Sequence, residues 1–155
     1  NGDFHFNPQS TGVAIPGVEL KIEQIAFESV LPGVQAGKFD VGVSGITATE
    51  ERKQNVDFTT SYATGVQVII VAEGSEIATD DDLLNPEKNY KVGVQQDTTG
   101  DIYLSGSYEE GGVGEDNVVR YKTGNEAVQA LLAGKVDAVV IDEEPAKAYV
   151  ENNNK

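Results

Sequence analysis

The residue types best suited to binding an anion lie together in one short stretch, "SGITATEER" at residues 44–52. Thr47 and Glu50 have the spacing of a capping box, and Thr49 offers a second cap, so a helix is predicted to begin here. The free N–H groups of a helix N-terminus attract anions, and Arg52 adds a planar pair of donors that fits a carboxylate. The stretch is therefore predicted to form a carboxylate clamp. A plainer alternative is that Arg52 pairs at the surface with one of the acids near it in sequence, Glu50, Glu51 or Asp57.

A second candidate charge, Asp142, is connected to this stretch by an internal repeat. "VQAGKFDVGVSG" at 34–45 and "LLAGKVDAVVID" at 131–142 align without a gap, each typical of a helix end, a Gly stop and a buried strand. One interpretation is that two helix-to-strand joints use the same residues, and the other is that the chain holds two similar α/β lobes. In the second case Gly45 and Asp142 lie just beyond the carboxyl ends of matching strands, where open α/β sheets bind ligands.

Other motifs that look reactive are better explained by local structure. "GVSGI" at 42–46 lacks the last glycine of a nucleophile elbow and His5 lies between two phenylalanines, so a serine hydrolase is not expected. "TDDD" at 79–82 is typical of a helix cap with acids in the first turn, and lacks the ligand spacing of a calcium loop. "EEGGVGED" at 109–116 lacks the lysine of a phosphate-binding loop. No catalytic residue, metal ligand or cofactor is predicted.

Composition excludes several classes of partner. The formal charge of −15 argues against nucleic acid, which is bound through clusters of Lys and Arg. Cysteine is absent, so neither a disulfide nor a thiolate metal site is expected. The longest apolar run, "GVQVIIVA" at 65–72, is far shorter than the roughly 20 residues that span a bilayer and has the length of a buried strand. The first residues, "NGDFHF", carry no leader pattern, so a mature or otherwise processed form is expected.

Extended and helical patterns alternate along the chain. Strands are predicted at 18–27, 39–46, 66–72, 90–95 and 135–142, helices at 28–37, 47–54, 98–108, 125–134 and 143–154, and a capped turn of helix within 79–87. Strands that alternate with helices through short loops form βαβ units. The predicted class is therefore α/β, with a mainly parallel sheet flanked by helices.

The motifs, in this order, resemble the signature of a known family. "FESVLPGVQAGKFDVGVSGITATEERKQNVDFTTSYATGVQVIIV" is similar to a region of the extracellular solute-binding proteins of polar amino-acid ABC importers. "YKVGVQQDTTGDIYL" and "EAVQALLAGKVDAVVIDEEPAKAYV" are similar to their second lobe. The resemblance implies a periplasmic-binding-protein-like fold whose two α/β lobes close over an amino acid. It implies a partial first lobe at 1–65 and a second lobe at 66–155.

The resemblance also implies roles for four residues of the first lobe. Gly45 offers its carbonyl to the α-ammonium group of the ligand, and Thr47 and Arg52 hold the α-carboxylate. Phe27, in "IAFESV", forms an aromatic wall against the ligand side chain.

Two residues of the second lobe complete the implied site. Thr98, in "QQDTTG", closes on the carboxylate from a helix N-terminus, and Asp142 pairs with the α-ammonium group. Asp97 stands where the family usually has glycine, because the backbone there approaches the ligand and takes unusual dihedral angles. An aspartate at this position repels a bound carboxylate unless its side chain points away or contacts a cation.

The resemblance further implies elements that the sequence lacks. Family members have a long helix where Gly17 here runs directly into Val18, and a return crossing with further helices after "AYVENNNK". The first lobe is therefore expected to be incomplete, with the apolar faces of its strands partly uncovered. An omitted segment or a fragment is favoured over a compact variant.

The function that follows is the binding of a polar amino acid and its delivery to the permease subunits of an ABC importer, without catalysis. The location implied is the periplasm or the outer face of the cell membrane, with attachment only through the transporter or a removed lipid anchor. One alternative is the ligand-binding domain of an amino-acid sensor, which needs a fused partner domain. Another is a dehydratase-like enzyme on the same scaffold, which needs a carboxylate or Lys in the cleft for proton transfer.

Overall fold

The computed structural model describes residues 20–153, which are built around a four-stranded sheet. Its strands are β1 (Gln67–Val71), β2 (Val92–Gln95), β3 (Val118–Tyr121) and β4 (Ala138–Asp142), in the order β1-β4-β2-β3. β2 pairs in parallel with both β4 and β3, whereas β1 pairs antiparallel with β4. The prediction of a mainly parallel α/β sheet is confirmed, with one antiparallel edge strand.

Six α-helices lie within residues 20–153. They are α1 (Val30–Gln35), α2 (Glu50–Lys53), α3 (Asp80–Leu83), α4 (Thr99–Ser105), α5 (Gly124–Leu132) and α6 (Glu143–Asn153). Short 3-10 helices occupy Phe27–Ser29, Tyr108–Glu110 and Glu115–Asn117. In this part of the chain no helix has the length and apolar character needed to cross a membrane.

Both faces of the sheet are covered, as the central strand β4 shows. Ala138 and Val140 belong to the core on one face, where α3 and α4 pack, and Val139 and Ile141 to the core on the other, where α5 and α6 pack. None of these four side chains is more than 8% exposed. Burying a side chain of the size of Val or Ile stabilises a fold by roughly 1.5–3 kcal/mol. The carboxyl end of β4 is therefore held in a fixed place.

The two copies of the internal repeat end their helices with the same backbone geometry. Gly37 after α1 and Gly134 after α5 have φ values of 68° and 65°, in the left-handed region. The next residue in each case, Lys38 or Lys135, donates its N–H to the carbonyl five residues earlier at 2.9 Å. These are the bonds of a Schellman motif, in which glycine is favoured because it has no Cβ.

The two strands predicted at 18–27 and 39–46 are wrong over the described residues, because neither range contains a strand there. A strand needs a neighbour that satisfies its N–H and C=O groups, and the described part of the chain provides none for these ranges. Several of their apolar side chains are open to solvent: Ile22 is 70% exposed, Val41 60% and Val43 47%. This exposure agrees with the expectation that the apolar faces of the first lobe are partly uncovered.

The sequence patterns also missed β3 and overestimated the length of three helices. β3 has only four residues, one of which is Arg120, and as an edge strand it pairs with β2 alone, so its apolar pattern is weak. α1, α2 and α4 are shorter than the predicted stretches. The capped turn predicted at "TDDD" is confirmed, since Thr79 and Asp82 form a capping box at the start of the one-turn helix α3. His5 lies outside the described residues.

Candidate functional site

A cavity of about 290 Å³ lies where the carboxyl end of β4 meets the amino ends of β1 and α4. Residues from four parts of the chain line it: Thr47, Gly65, Gln67, Thr99, Tyr103 and Asp142. Two of the residues predicted from sequence, Thr47 and Asp142, are among them. The other four were not predicted.

Asp142 is the last residue of β4 and is the cross-strand partner of Gln67, the first residue of β1. Its Oδ1 accepts a hydrogen bond from the side-chain amide of Gln67. Its Oδ2 faces Gly45, where an added Cβ would lie 3.4 Å from that oxygen. The structure therefore brings Gly45 and Asp142 together, although 97 residues separate them in sequence.

Burial raises the pKa of the half-buried Asp142 carboxyl, and the hydrogen bond from Gln67 partly offsets this rise. Burial disfavours the charged form because it removes water from the carboxylate. A cation placed beside Oδ2 would replace some of that lost solvation. The cavity thus offers a favourable place for an ammonium group.

The helix predicted within the carboxylate clamp is α2, and it begins at Glu50. Thr49, and not Thr47, caps α2: its hydroxyl oxygen accepts the N–H of Arg52 at 3.2 Å. The capping box predicted for Thr47 and Glu50 is therefore wrong. Glu50 and Glu51 both face solvent, whereas Arg52 is only 9% exposed.

The guanidinium of Arg52 joins two distant segments of the chain. Nη1 donates to the carbonyl of Thr47 at 2.9 Å, and Nη2 donates to the carbonyl of Asp97 at 2.6 Å. Its Cζ lies 5.8 Å from the centre of the Phe27 ring, within the range of a cation–π contact. Burial lowers the pKa of Arg52, and the nearby charges of Asp97 and Glu51 partly oppose that effect.

The surface alternative for Arg52 does not hold in the described structure. Within residues 20–153, Arg52 forms no ion pair, and Glu50 is bound instead to Lys53 at 2.7 Å. An arginine this buried is held for its hydrogen bonds, since desolvation of its charge is otherwise unfavourable. Two of its five N–H donors are used by the two carbonyls, and the remaining three can serve a carboxylate.

Thr98, the residue predicted to act at a helix N-terminus, is the N-cap of α4. Thr98 turns its hydroxyl onto its own loop, where it donates to the carbonyl of Gln95 at 2.7 Å, and Thr98 is not among the residues that line the cavity. The next residue, Thr99, is buried and does line it. A one-residue difference of this kind depends on backbone turns that a sequence motif does not resolve.

Asp97 takes the glycine-like conformation that the resemblance implied for its position. Its φ is 61°, which few residues other than glycine adopt, although Asp and Asn tolerate it best. Its N–H donates to Oδ2 of Asp101 at 2.9 Å, and its carbonyl accepts from Arg52. The side chain of Asp97 is exposed.

Asp101 anchors this loop from inside the protein. The side chain of Asp101 is buried, and both of its oxygens accept from Nε of Arg120, at 2.8 and 2.9 Å. Ser105 donates its hydroxyl to Oδ1 at 3.0 Å. Hydrogen bonds from Arg120 to Glu115 and Asp101 raise the pKa of Arg120. The charge of Asp101 is thus paired, and the loop that carries Asp97 is fixed.

The arrangement suits a small zwitterion. Asp142 offers a carboxylate, and Arg52, bound to the cavity residue Thr47, offers a guanidinium. Among residues 20–153, no group of three or more His, Asp or Glu side chains is placed to hold a metal ion.

The sheet, its flanking helices and the polar cleft define a ligand-binding α/β protein. Residues 13–149 match the family of bacterial extracellular solute-binding proteins, family 3, and the chain belongs to that family. Its members are named for binding solutes outside the cell, so the family is one of binding proteins.

Two curated relatives are named for the binding of different amino acids. A probable histidine-binding protein of Neisseria gonorrhoeae is 32% identical over 137 residues, which are 87% of this chain and 48% of the relative. An L-arginine-binding protein of Pseudomonas aeruginosa is 35% identical over 125 residues, 81% of this chain and 46% of the relative. The chain therefore spans about half the length of the curated relatives it matches.

Solved structures confirm the periplasmic-binding-protein-like fold. The arginine-, lysine-, histidine-binding protein ArtJ of Geobacillus stearothermophilus has a TM-score of 0.78 at 35% identity, with 89% of this chain and 56% of ArtJ covered. The holo arginine-binding protein ArgBP of T. maritima has a TM-score of 0.76 at 39% identity, with 89% and 57% covered.

Proposed function

We propose that the protein binds a polar L-amino acid between two lobes and delivers it to the permease subunits of an ABC importer. In this proposal residues 1–65 are part of the first lobe and 66–155 form the second. The protein works outside the cytoplasm, in the periplasm or on the outer face of the cell membrane. It meets the membrane only through the transporter or a removed lipid anchor, and it is not an enzyme.

The observation that carries the proposal is the approach of Gly45 to the half-buried carboxylate of Asp142 at the cleft. The ligand's α-ammonium group binds between Oδ2 of Asp142 and the carbonyl of Gly45. The nearby carboxylate of Asp142 favours the protonated, positively charged form of this ammonium group. The ammonium end of the ligand is thereby held by both segments at once.

In this proposal the carboxylate end of the ligand is bound by residues near the start of α2 and the start of α4. The free donors of Arg52 and the hydroxyl of Thr47 bind the α-carboxylate, with Thr98 and Thr99 closing on it from the start of α4. Phe27, which lies against the Arg52 guanidinium, is the aromatic wall for the ligand side chain. Contacts made from two lobes stabilise the closed form because only that form makes all of them.

Among polar amino acids we propose a cationic one. Similar proteins are named for the binding of arginine, histidine or lysine. The formal charge of −15 also favours the approach of a cation, since a protein of one net sign attracts small ions of the other.

Calorimetric titration of the full-length protein with the common L-amino acids tests the proposal. We expect arginine or histidine to bind most tightly, and Asp142→Asn to weaken that binding at least roughly tenfold, about 1.4 kcal/mol. Two analogues serve as ligand controls: N-acetyl-arginine lacks the ammonium charge and agmatine lacks the carboxylate, and both should bind poorly. If no amino acid binds, or if N-acetyl-arginine binds as tightly as arginine, the proposal is wrong.

A further inference from the structure

Gln67 occupies the junction between the carboxyl end of β4 and the start of α4. It is the first residue of β1 and pairs in register with Asp142, so both side chains emerge from the same end of the ladder and on the same face. It also lines the cavity together with Asp142 and Thr99. The first polar residue of an otherwise apolar strand, "QVIIV", thus lies at the site.

The amide of Gln67 has a single orientation that fits its neighbours. Nε2 donates to Oδ1 of Asp142 and to Oγ1 of Thr99, the latter at 3.0 Å. Oε1 faces Gly100, where an added Cβ would lie only 3.0 Å away. Both N–H groups of the amide are therefore used, and they point at a carboxylate and a hydroxyl.

We infer that Gln67 is a positioning residue for the ammonium end of the site, an inference that rests on the proposed function. By holding Oδ1 of Asp142, its amide directs Oδ2 toward Gly45 and the cleft. Through Thr99 it also fixes the distance between β4 and α4. Gln67 acts on the ligand through Asp142.

The neutrality of this donor matters for the ligand. A Lys or Arg at position 67 would pair with Asp142 and remove the charge that an ammonium group needs. A Glu would place a second carboxylate against the first, and like charges at such a distance disfavour ionisation. An amide orients the carboxylate and leaves its charge for the ligand.

This role predicts a pH dependence of binding. Only ionised Asp142 attracts an ammonium group, so affinity falls as the pH drops through the pKa of Asp142, which burial raises and the Gln67 hydrogen bond lowers. Without that bond the pKa of Asp142 is higher, and affinity is lost at a higher pH. On the neighbouring helix α4, Tyr103 lines the cavity and the carboxylate of Asp101 is paired with Arg120. At the start of α6, Glu143 and Glu144 are both paired with Lys147, at 3.0 and 2.9 Å.

The experiment is calorimetric titration of the full-length protein with L-arginine, whose own charges stay constant between about pH 4 and 8. Gln67→Met keeps the length of the side chain and removes its donors. We expect it to weaken binding roughly tenfold at neutral pH, the effect of one hydrogen bond to a charged group. We also expect the pH at which affinity is half lost to rise. Gln129→Met, an exposed position on α5, is the matched control and should behave as the wild type.

The pH profile separates positioning from a merely structural role. If Gln67→Met keeps the wild-type affinity, or loses affinity with an unchanged pH midpoint, the inference is wrong. If circular dichroism shows that this variant does not fold, Gln67→Leu is measured instead under the same criteria. Failure of the proposed function is recognised separately, because Asp142→Asn would then bind arginine as tightly as the wild type does.

Discussion

Replacement of Arg52 by alanine tests the other half of the site. The side chain is 9% exposed and donates to two carbonyls, those of Thr47 at 2.9 Å and Asp97 at 2.6 Å. A hydrogen bond to a charged group stabilises by about 1.5–3 kcal/mol, and we use the lower value because the bonds are only partly buried. Two such bonds from the remaining donors of Arg52 to the α-carboxylate of the proposed ligand would amount to about 3 kcal/mol, which corresponds to roughly 150-fold in the dissociation constant.

That loss is expected in ligand binding because, in the proposed site, Arg52 supplies the donors for the α-carboxylate. Arg52→Ala removes these donors and also the link between the segments of Thr47 and Asp97. The central sheet at 67–142 does not depend on either bond, so the fold should persist. We therefore expect Arg52→Ala to bind arginine at least about 100-fold more weakly.

Arg52→Lys is a sharper version of the same test. Lysine keeps the charge but has its three donors on one nitrogen, so it cannot span both carbonyls and also reach a carboxylate. We expect roughly tenfold weaker binding, intermediate between alanine and the wild type.

Calorimetric titration with L-arginine measures all three proteins, and thermal unfolding checks that each is folded. The matched control is Lys53→Ala, which removes a neighbouring cation that is 48% exposed and paired with Glu50. It should leave the affinity unchanged, since an exposed pair contributes less than about 1 kcal/mol. The reasoning is refuted if Arg52→Ala binds as well as the wild type. It is refuted equally if Lys53→Ala loses as much affinity, because overall charge would then explain the effect.

Two further predictions concern stability and are read from urea unfolding. Arg120→Met leaves the buried carboxylate of Asp101 without its cation and should lower the free energy of unfolding by about 2 kcal/mol, a value reduced for the partial exposure of Arg120. The comparison variant is Lys147→Ala, which removes exposed ion pairs and should lower the free energy of unfolding by less than about 1 kcal/mol. Equal decreases in the two variants would contradict the conclusion that the Arg120–Asp101 pair is the stronger one. Gly134→Ala, at a φ of 65°, should cost about 1 kcal/mol, and Gly134→Asn less. An unchanged stability in Gly134→Ala would show that the helix stop does not need its left-handed conformation.

Much of the local structure was predictable from the sequence because its causes are local. The two glycine stops of the repeat, the cap at Thr79 and the buried run of β4 each depend on residues within one turn or one strand. The strand predicted at 39–46 failed for a non-local reason. Its residues have a strand pattern, but pattern alone cannot form a strand when no neighbour pairs with it.

The same division holds at the site. The sequence by itself determined the fold class and the family, because the ordered motifs carry that information. It also predicted charged residues that would suit a zwitterion. Only the tertiary structure decided that Gln67 lies against Asp142, 75 residues away, and that Thr99 and not Thr98 lines the cavity. It also decided that Arg52 is buried and binds the carbonyl of Asp97. These contacts depend on strand register and on the packing of α4, which join positions that no local pattern connects.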